Sequence, residues 1–160
     1  MALVLYGVTV DSVRRHHFPQ ADAWVASSRP SNATVAEVID EQAGRLAGAL
    51  EVESVLVTGD ATTAAFVSCR AQLRLMVAIV VSRDMTGMDP AVTRAWKGEV
   101  AEWFEGLDDS NVAFLGDGAI ITTTTEPDGP TDFISNLALE VGDPVDASDV
   151  KPVLRRKDSL

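Results

Sequence analysis

The chain has 160 residues, a single cysteine and a formal net charge of −11, with a pI of about 4.4. This length fits one domain with a real core, and a hydrophobic content of 46% excludes a wholly disordered chain. The acidic excess excludes a protein that grips nucleic acid over most of its surface, because phosphate binding needs clustered Lys and Arg. One cysteine cannot form an internal disulfide, so the composition gives no sign of an oxidising compartment.

Two helices are predicted in the first fifty residues. The first covers residues 11–17, with Thr9 as its N-cap. The second begins at Thr34-Val-Ala-Glu37, a capping-box pattern in which the threonine hydroxyl accepts from the third backbone N–H and the glutamate reaches back. An apolar stripe at helical spacing carries this helix to about Leu50. Residues 51–58 fit either a strand or a loop.

The next two helices differ in how apolar they are. The third is predicted from an N-cap at Asp60 to Arg83 or Asp84, and its wide apolar face is typical of a central helix packed on several sides. The β-branched residues near its end leave a strand as an alternative there. The fourth has Asp89 as N-cap and Pro90 at its first position. Its stripe comprises Val92, Trp96, Val100, Trp103 and Leu107.

The character of the chain changes after Gly118. Residues 119–125 have high β propensity, and prolines and glycines interrupt everything downstream. Residues 119–149 hold seven acidic side chains and no basic one, whereas residues 150–160 carry a net charge of +3. We therefore predict a mainly α fold: an antiparallel bundle of about four helices over residues 1–118, and an extended, β-prone arm over residues 119–160. The predicted core comprises Val38, Ile39, Leu46, Phe66, Leu73, Met76, Val77, Val80, Trp96, Val100 and Trp103.

No membrane-spanning or exported segment is expected. The longest hydrophobic stretch, residues 75–81, is too short to cross a bilayer. The apolar start lacks the basic region of a secretory signal and soon meets Asp11, Arg14 and Arg15. These features predict a soluble compartment.

The sequence predicts no catalytic, cofactor-binding or metal-binding residue. His16 and His17 are adjacent, so they would point about 100° apart on a helix and could not ligate one ion from one face. Cys69 lies among apolar neighbours with no glycine-rich turn to present it as a nucleophile. Trp96 and Trp103 have the spacing of core residues rather than of a stacking platform for bases. A structural or interaction protein is therefore favoured over an enzyme.

Two groups of basic residues are candidates for protein contacts. Arg70 and Arg74 lie one helical turn apart, which fits either a solvated face or a contact with a neighbouring subunit. The cations near the end of the chain fit either a solvated tail or a docking peptide. Those cations are Lys151, Arg155, Arg156 and Lys157, beside Val153 and Leu154.

Four segments resemble the head–tail connector, or adaptor, proteins of long-tailed double-stranded DNA phages. Tyr6-Gly-Val-Thr-Val-Asp-Ser-Val13 resembles the start of the family's short first helix. Thr34-Val-Ala-Glu-Val-Ile-Asp-Glu-Gln-Ala43 is similar to its acidic, Ala-rich second helix, and residues 71–80 resemble its long central helix. Residues 89–108, with Leu115-Gly116 after them, are similar to its last helix and following loop. The resemblance covers residues 4–118.

The resemblance implies a homo-oligomeric ring, commonly of about twelve copies, in the neck of a virion. Such a ring would be assembled in the host cytoplasm, dock below the portal protein and join it to a tail terminator or stopper protein. Double-stranded DNA would pass through its lumen during packaging and ejection without sequence-specific binding, and no membrane would be involved. A C-terminal segment would reach the portal. We accordingly expect Arg70 and Arg74 to contact the next subunit, and the arm to bind partners through Ile120, Ile121, Phe133, Lys151, Leu154, Arg155, Arg156 and Lys157.

Two alternatives remain open. Another phage neck or tail joining ring, such as a tail terminator or head-completion protein, would share these partners but contain more strand. A small host regulatory domain would be a stable monomer or dimer whose melting temperature responds to a ligand.

Overall fold

The computed structural model describes residues 4–108 and 114–122. This part of the chain is mainly helical, as the sequence predicts, and it also contains one two-stranded sheet. In chain order the elements are α1 (Val10–His17), α2 (Asn32–Val52), β1 (Val55–Val57), α3 (Ala64–Val81), a 3₁₀ turn (Ser82–Asp84), α4 (Pro90–Asp108) and β2 (Ala119–Ile121).

The predicted starts of α1 and α4 are confirmed by their capping bonds. The backbone N–H of Ser12 donates to the Thr9 hydroxyl at 3.1 Å, and the backbone N–H of Thr9 donates to the Ser12 hydroxyl at 2.9 Å. The Asp89 carboxylate accepts from the backbone N–H of Ala91 at 2.9 Å, with Pro90 at the first helical position. Both helices therefore begin where a short polar side chain satisfies an N–H that has no partner within the helix.

The predicted start of α2 is wrong by three residues. Its N-cap is Ser31, whose hydroxyl accepts from the backbone N–H of Thr34 at 3.1 Å. Thr34 is thus inside the first turn, and its own hydroxyl lies 2.9 Å from that of Ser31. Ser31 has the same three-residue spacing to Thr34 that Thr34 has to Glu37, so the local pattern offers two caps, and the upstream cap gives the longer helix.

The predicted start of α3 is also too early. Asp60 accepts from the backbone N–H of Thr62 at 2.9 Å and from its hydroxyl at 2.6 Å, so it closes a turn ahead of the helix. Thr63 is the N-cap. The α-helix continues to Val81 and the 3₁₀ turn to Asp84, so the strand alternative for this region is wrong and its predicted end is confirmed.

The core is organised around α3, which contacts α1, α2 and α4. Its Cys69, Leu73 and Val77 have no exposed surface. Of the predicted core, Ile39, Leu46, Leu73, Met76 and Val77 are buried, and the others except Val80 pack half-buried against that cluster.

Helix α4 is covered on a single side, since its packing within the described residues is mainly against α3. Leu107 is its one fully buried side chain among those described, whereas Trp96, Val100 and Trp103 stay half-exposed.

The two strands pair antiparallel across a long sequence separation. Val55 pairs with Ile121, Leu56 with Ile120 and Val57 with Ala119. The backbone continues this pairing at one end, where the N–H of Thr122 donates to the carbonyl of Ser54 at 2.7 Å.

Gly118 closes the other end of the ribbon with a φ of 94°. A Cβ at this position would lie 2.8 Å from the carbonyl oxygen of Thr58, so glycine is required there. Residues 119–122 thus pair with β1 and belong to the same compact unit as the helices.

The segment Ala64–Asp84 is long and apolar enough to cross a membrane by length and composition, with a mean hydropathy of 1.7. The expectation that no stretch is long enough rested on residues 75–81 alone, and the observed helix corrects it. Half of this apolar segment is buried inside the fold, where apolar side chains are needed for packing against the other helices.

We predict that Leu73→Ala lowers the free energy of unfolding by about 2–5 kcal/mol, because it leaves a cavity at a fully buried position. Val67→Ala on the same helix is the matched control. Val67 is 44% exposed, so its replacement should cost about 0.5 kcal/mol or less. Denaturant melts of both variants measure the difference, and equal costs would contradict the central position of α3.

We also predict that a chain ending at Thr122 melts close to the full chain, whereas a chain ending at Gly118 melts at a lower temperature. The shorter chain loses β2, its backbone pairing with β1 and the cover that β2 gives to Val55, which is 7% exposed in the fold. Thermal melts followed by circular dichroism compare the two. Equal melting temperatures would mean that the ribbon contributes nothing to the body.

Candidate functional site

The predicted inter-subunit residues Arg70 and Arg74 lie on the side of α3 that meets the N-terminal segment. The Arg70 Nε donates to the carbonyl of Tyr6 at 2.8 Å, and its guanidinium carbon lies 5.2 Å from the centre of the Phe66 ring. These contacts hold a turn in which Tyr6 and Gly7 both have positive φ, 50° and 73°. Arg70 therefore stabilises its own chain, and a contact with another subunit remains a prediction.

The Tyr6 side chain points inward from this turn and is part of the core that packs against α3. It is 8% exposed, and its ring meets Phe66 edge to face at 5.1 Å. Burial, together with the neighbouring Cys69, raises the pKa of the Tyr6 phenol. Burial likewise raises the pKa of the Cys69 thiol to about 11, the opposite of what activates a nucleophilic cysteine.

Arg74 reaches from α3 to the last turn of α1. The His16 Nδ1 lies 2.8 Å from the carbonyl of Ser12, so we assign the ring proton to Nδ1. The other ring nitrogen, Nε2, then accepts from the Arg74 Nη1 at 3.1 Å. Desolvation, with the nearby charge of Arg70, lowers the pKa of Arg74.

Neither arginine has an acidic partner in the part of the chain that the structure describes. The ion pairs found there join Asp11 to Arg14 and Arg15, and Glu41 to Arg45. Arg74 is thus a partly buried cation whose polar contact in the described fold is the imidazole of His16.

A groove of about 350 Å³ lies beside Arg74, where the end of α1 and the middle of α4 flank α3. The Trp103 side chain forms one wall, and its Nε1–H donates to the Ser68 hydroxyl at 2.9 Å. Gln72 is 4% exposed, and its Nε2 has no hydrogen-bond partner among the described residues. The groove also contains His16, His17, Ala71, Leu75 and Glu99.

His17 contributes packing rather than a free imidazole to this groove. Its ring meets the Trp96 ring edge to face at 5.3 Å. Burial is the main cause that lowers the pKa of His17 to about 4, and the neighbouring Arg74 and His16 add to it. The adjacency of His16 and His17 in the sequence predicts a partly exposed pair at the end of α1, and His17 is the more buried of the two. The signal that identifies it is its spacing of four and seven residues from Val13 and Val10, on the inner face of α1.

The predicted partner-binding residues fall in two groups. Ile120 and Ile121 lie on β2 and are 50% and 38% exposed. Leu56, which pairs with Ile120 across the ribbon, is 48% exposed, so one face of the ribbon is apolar and open to solvent. The others, Phe133, Lys151, Leu154, Arg155, Arg156 and Lys157, lie outside the described residues.

Within residues 4–108 and 114–122, no group of three or more His, Cys, Asp or Glu side chains could hold a metal ion. Comparison of the chain with protein-family models, with curated proteins and with solved structures gave no match.

We predict that the buried imidazole of His17 makes stability fall as the pH is lowered from 6.5 towards 4. In this window the unfolded chain binds a proton at His17 and the folded chain does not, so acid favours unfolding. His17→Gln, which cannot take up a proton, should show a shallower loss over the same range. The free energy of unfolding, measured by denaturant melts at a series of pH values, tests this. A variant with the wild-type slope would contradict it.

Proposed function

We propose that this protein is a head–tail adaptor of a long-tailed double-stranded DNA phage. Copies of it would form a ring, commonly of about twelve, below the portal protein, and would join the portal to a tail terminator or stopper protein. The ring would assemble in the host cytoplasm and lie in the neck of the virion. Its role is structural rather than enzymatic, and it needs no cofactor.

The observation that carries this proposal is the helical body. The four helices, with strands of three residues each, make up the described fold. A tail terminator or head-completion ring would be expected to contain more strand, so the fold favours the adaptor among the phage joining proteins.

The segments that resemble the family support the same function, because they coincide with helices in the same order. Thr9, in the first segment, caps α1, and the second segment lies within α2. The third lies within α3, and the fourth begins at the cap of α4. We further propose that the helices pack as an antiparallel bundle with α3 at its centre.

The surface charge fits a ring through which DNA passes. Helix α2 exposes Glu37, Asp40 and Glu41, and α4 exposes Glu99, Glu102 and Glu105. Acidic helix faces repel phosphate, so a lumen lined by them would let DNA move without adhering. A heterologous ring needs two unlike surfaces on each subunit, and the Arg70–Arg74 side and the acidic helices provide such a pair.

Attachment to the portal is assigned to the region after Gly118. Ile120 on one face of the ribbon and Ile121 on the other offer apolar surface, and the cations at 151–157 offer opposite charge to an acidic surface. Apolar burial would supply affinity, and the charges would supply orientation and a faster encounter.

We predict that the purified protein forms a ring on portal-bearing heads that electron microscopy can image. Replacing Lys151, Arg155, Arg156 and Lys157 with glutamine should weaken this attachment, and the weakening should depend on salt because exposed charge pairs are screened. A variant with glutamine at the exposed Arg15, Arg29, Arg45 and Arg94 removes the same four positive charges from the body and serves as the control. Heads without a ring after incubation with wild-type protein would overturn the proposed function.

A further inference from the structure

A second groove lies between α2, α3 and α4. It has a volume of about 320 Å³ and a mostly apolar floor. Met76 is buried at its base, whereas the side chains around Met76 are only half-covered. These are Ile79, Val80, Val100 and Phe104. The groove therefore leaves apolar surface of the bundle in contact with water, which is unfavourable unless something covers it.

Three cations surround this apolar floor. Arg45 comes from α2, Arg83 from the 3₁₀ turn after α3, and Lys97 from α4. Arg45 pairs with Glu41 at 3.1 Å, but the ion pairs among the described residues include neither Arg83 nor Lys97. In a chain with a net charge of −11, a rim of three cations is a local reversal of sign. The groove is thus suited to a segment that is both apolar and acidic.

The chain itself contains such a segment. Residues 132–143 read Asp-Phe-Ile-Ser-Asn-Leu-Ala-Leu-Glu-Val-Gly-Asp, with three acidic residues, no basic residue and five large apolar side chains. Elsewhere after Thr122, residues 123–131 and 144–149 are acidic but hold at most one large apolar side chain each, and residues 150–160 are basic.

We propose that the groove between α2, α3 and α4 binds residues 132–143 of a second copy of this chain. Phe133 and its apolar neighbours would enter the groove, and Glu140 and Asp143 would meet Arg83 and Lys97. This inference rests on the proposed function in one respect, since a ring supplies the second copy.

The length of the chain permits this exchange. Phe133 follows Thr122, the last described residue, by eleven residues, which can span up to about 36 Å when extended. That reach is comparable to the diameter of a small domain, so a segment leaving the end of β2 can arrive at a neighbouring subunit. A groove and the segment that fills it are two unlike surfaces, which a closed ring of identical subunits requires.

A charge exchange in the full-length chain tests the proposal. One variant carries Arg83→Glu and Lys97→Glu, a second carries Glu140→Lys and Asp143→Lys, and a third carries all four changes. Sedimentation velocity measures self-association of each. Both double variants should associate about tenfold more weakly than wild type, and the quadruple variant should regain most of the loss.

The controls separate a lost contact from a lost fold. Arg83 and Lys97 are exposed, so circular dichroism should show wild-type helicity in every variant. A further variant with Arg15→Glu and Arg29→Glu carries the same change of charge outside the groove and should associate like wild type.

The outcomes are distinct for the two proposals. A monomeric wild-type chain at all concentrations, or a quadruple variant no better than the double variants, would overturn this inference. Charge rescue in a chain that forms no ring on portal-bearing heads would support the groove and overturn the adaptor function. A ring that forms on heads equally well with every variant would support the adaptor and overturn the groove.

Discussion

The burial of α3 is the constraint on which the rest of the structure depends. A helix with Cys69, Leu73 and Val77 fully buried and apolar residues on nearly every side cannot be covered by one neighbour. α1, α2 and α4 therefore each take a part of its surface, and Arg70 fastens the N-terminal segment across another part. The two grooves lie where these coverings leave gaps, so the available surfaces of the molecule follow from how its central helix is packed.

Positively charged side chains border both grooves. Helices α2 and α4 expose acidic side chains, whereas Arg74 borders one groove and Arg83 and Lys97 border the other. Cations in a strongly acidic molecule are held in a favourable long-range field even without a direct partner. The field alone does not fix their geometry, because exposed charge pairs contribute little. What distinguishes these cations is that they stand next to uncovered apolar surface, where an incoming acidic side chain would be partly desolvated.

The sequence predicted the elements that local chemistry determines. Thr9 and the Asp89-Pro90 pair are helix starts of a kind that depends on a few neighbouring atoms, and the apolar spacing around Leu73 is visible in the printed chain. The errors arose where two local solutions compete, as at Ser31 against Thr34. Contacts between distant residues could not be predicted at all. The pairing of β1 with β2 closes a loop of more than sixty residues, and the position of His17 against Trp96 depends on how two helices meet.

The half-covered stripe of α4 links stability to assembly. Trp96, Val100 and Phe104 could have been buried by a fifth element, yet in the described fold they border grooves or pack on one side. Leaving apolar surface exposed costs stability in the free protein, and the burial of Cys69, Leu73 and Val77 on α3 offsets part of that cost. The lost stabilisation is recovered when another chain covers this apolar surface. In the proposed ring, a second copy that covers this stripe would add apolar burial to the free energy of assembly.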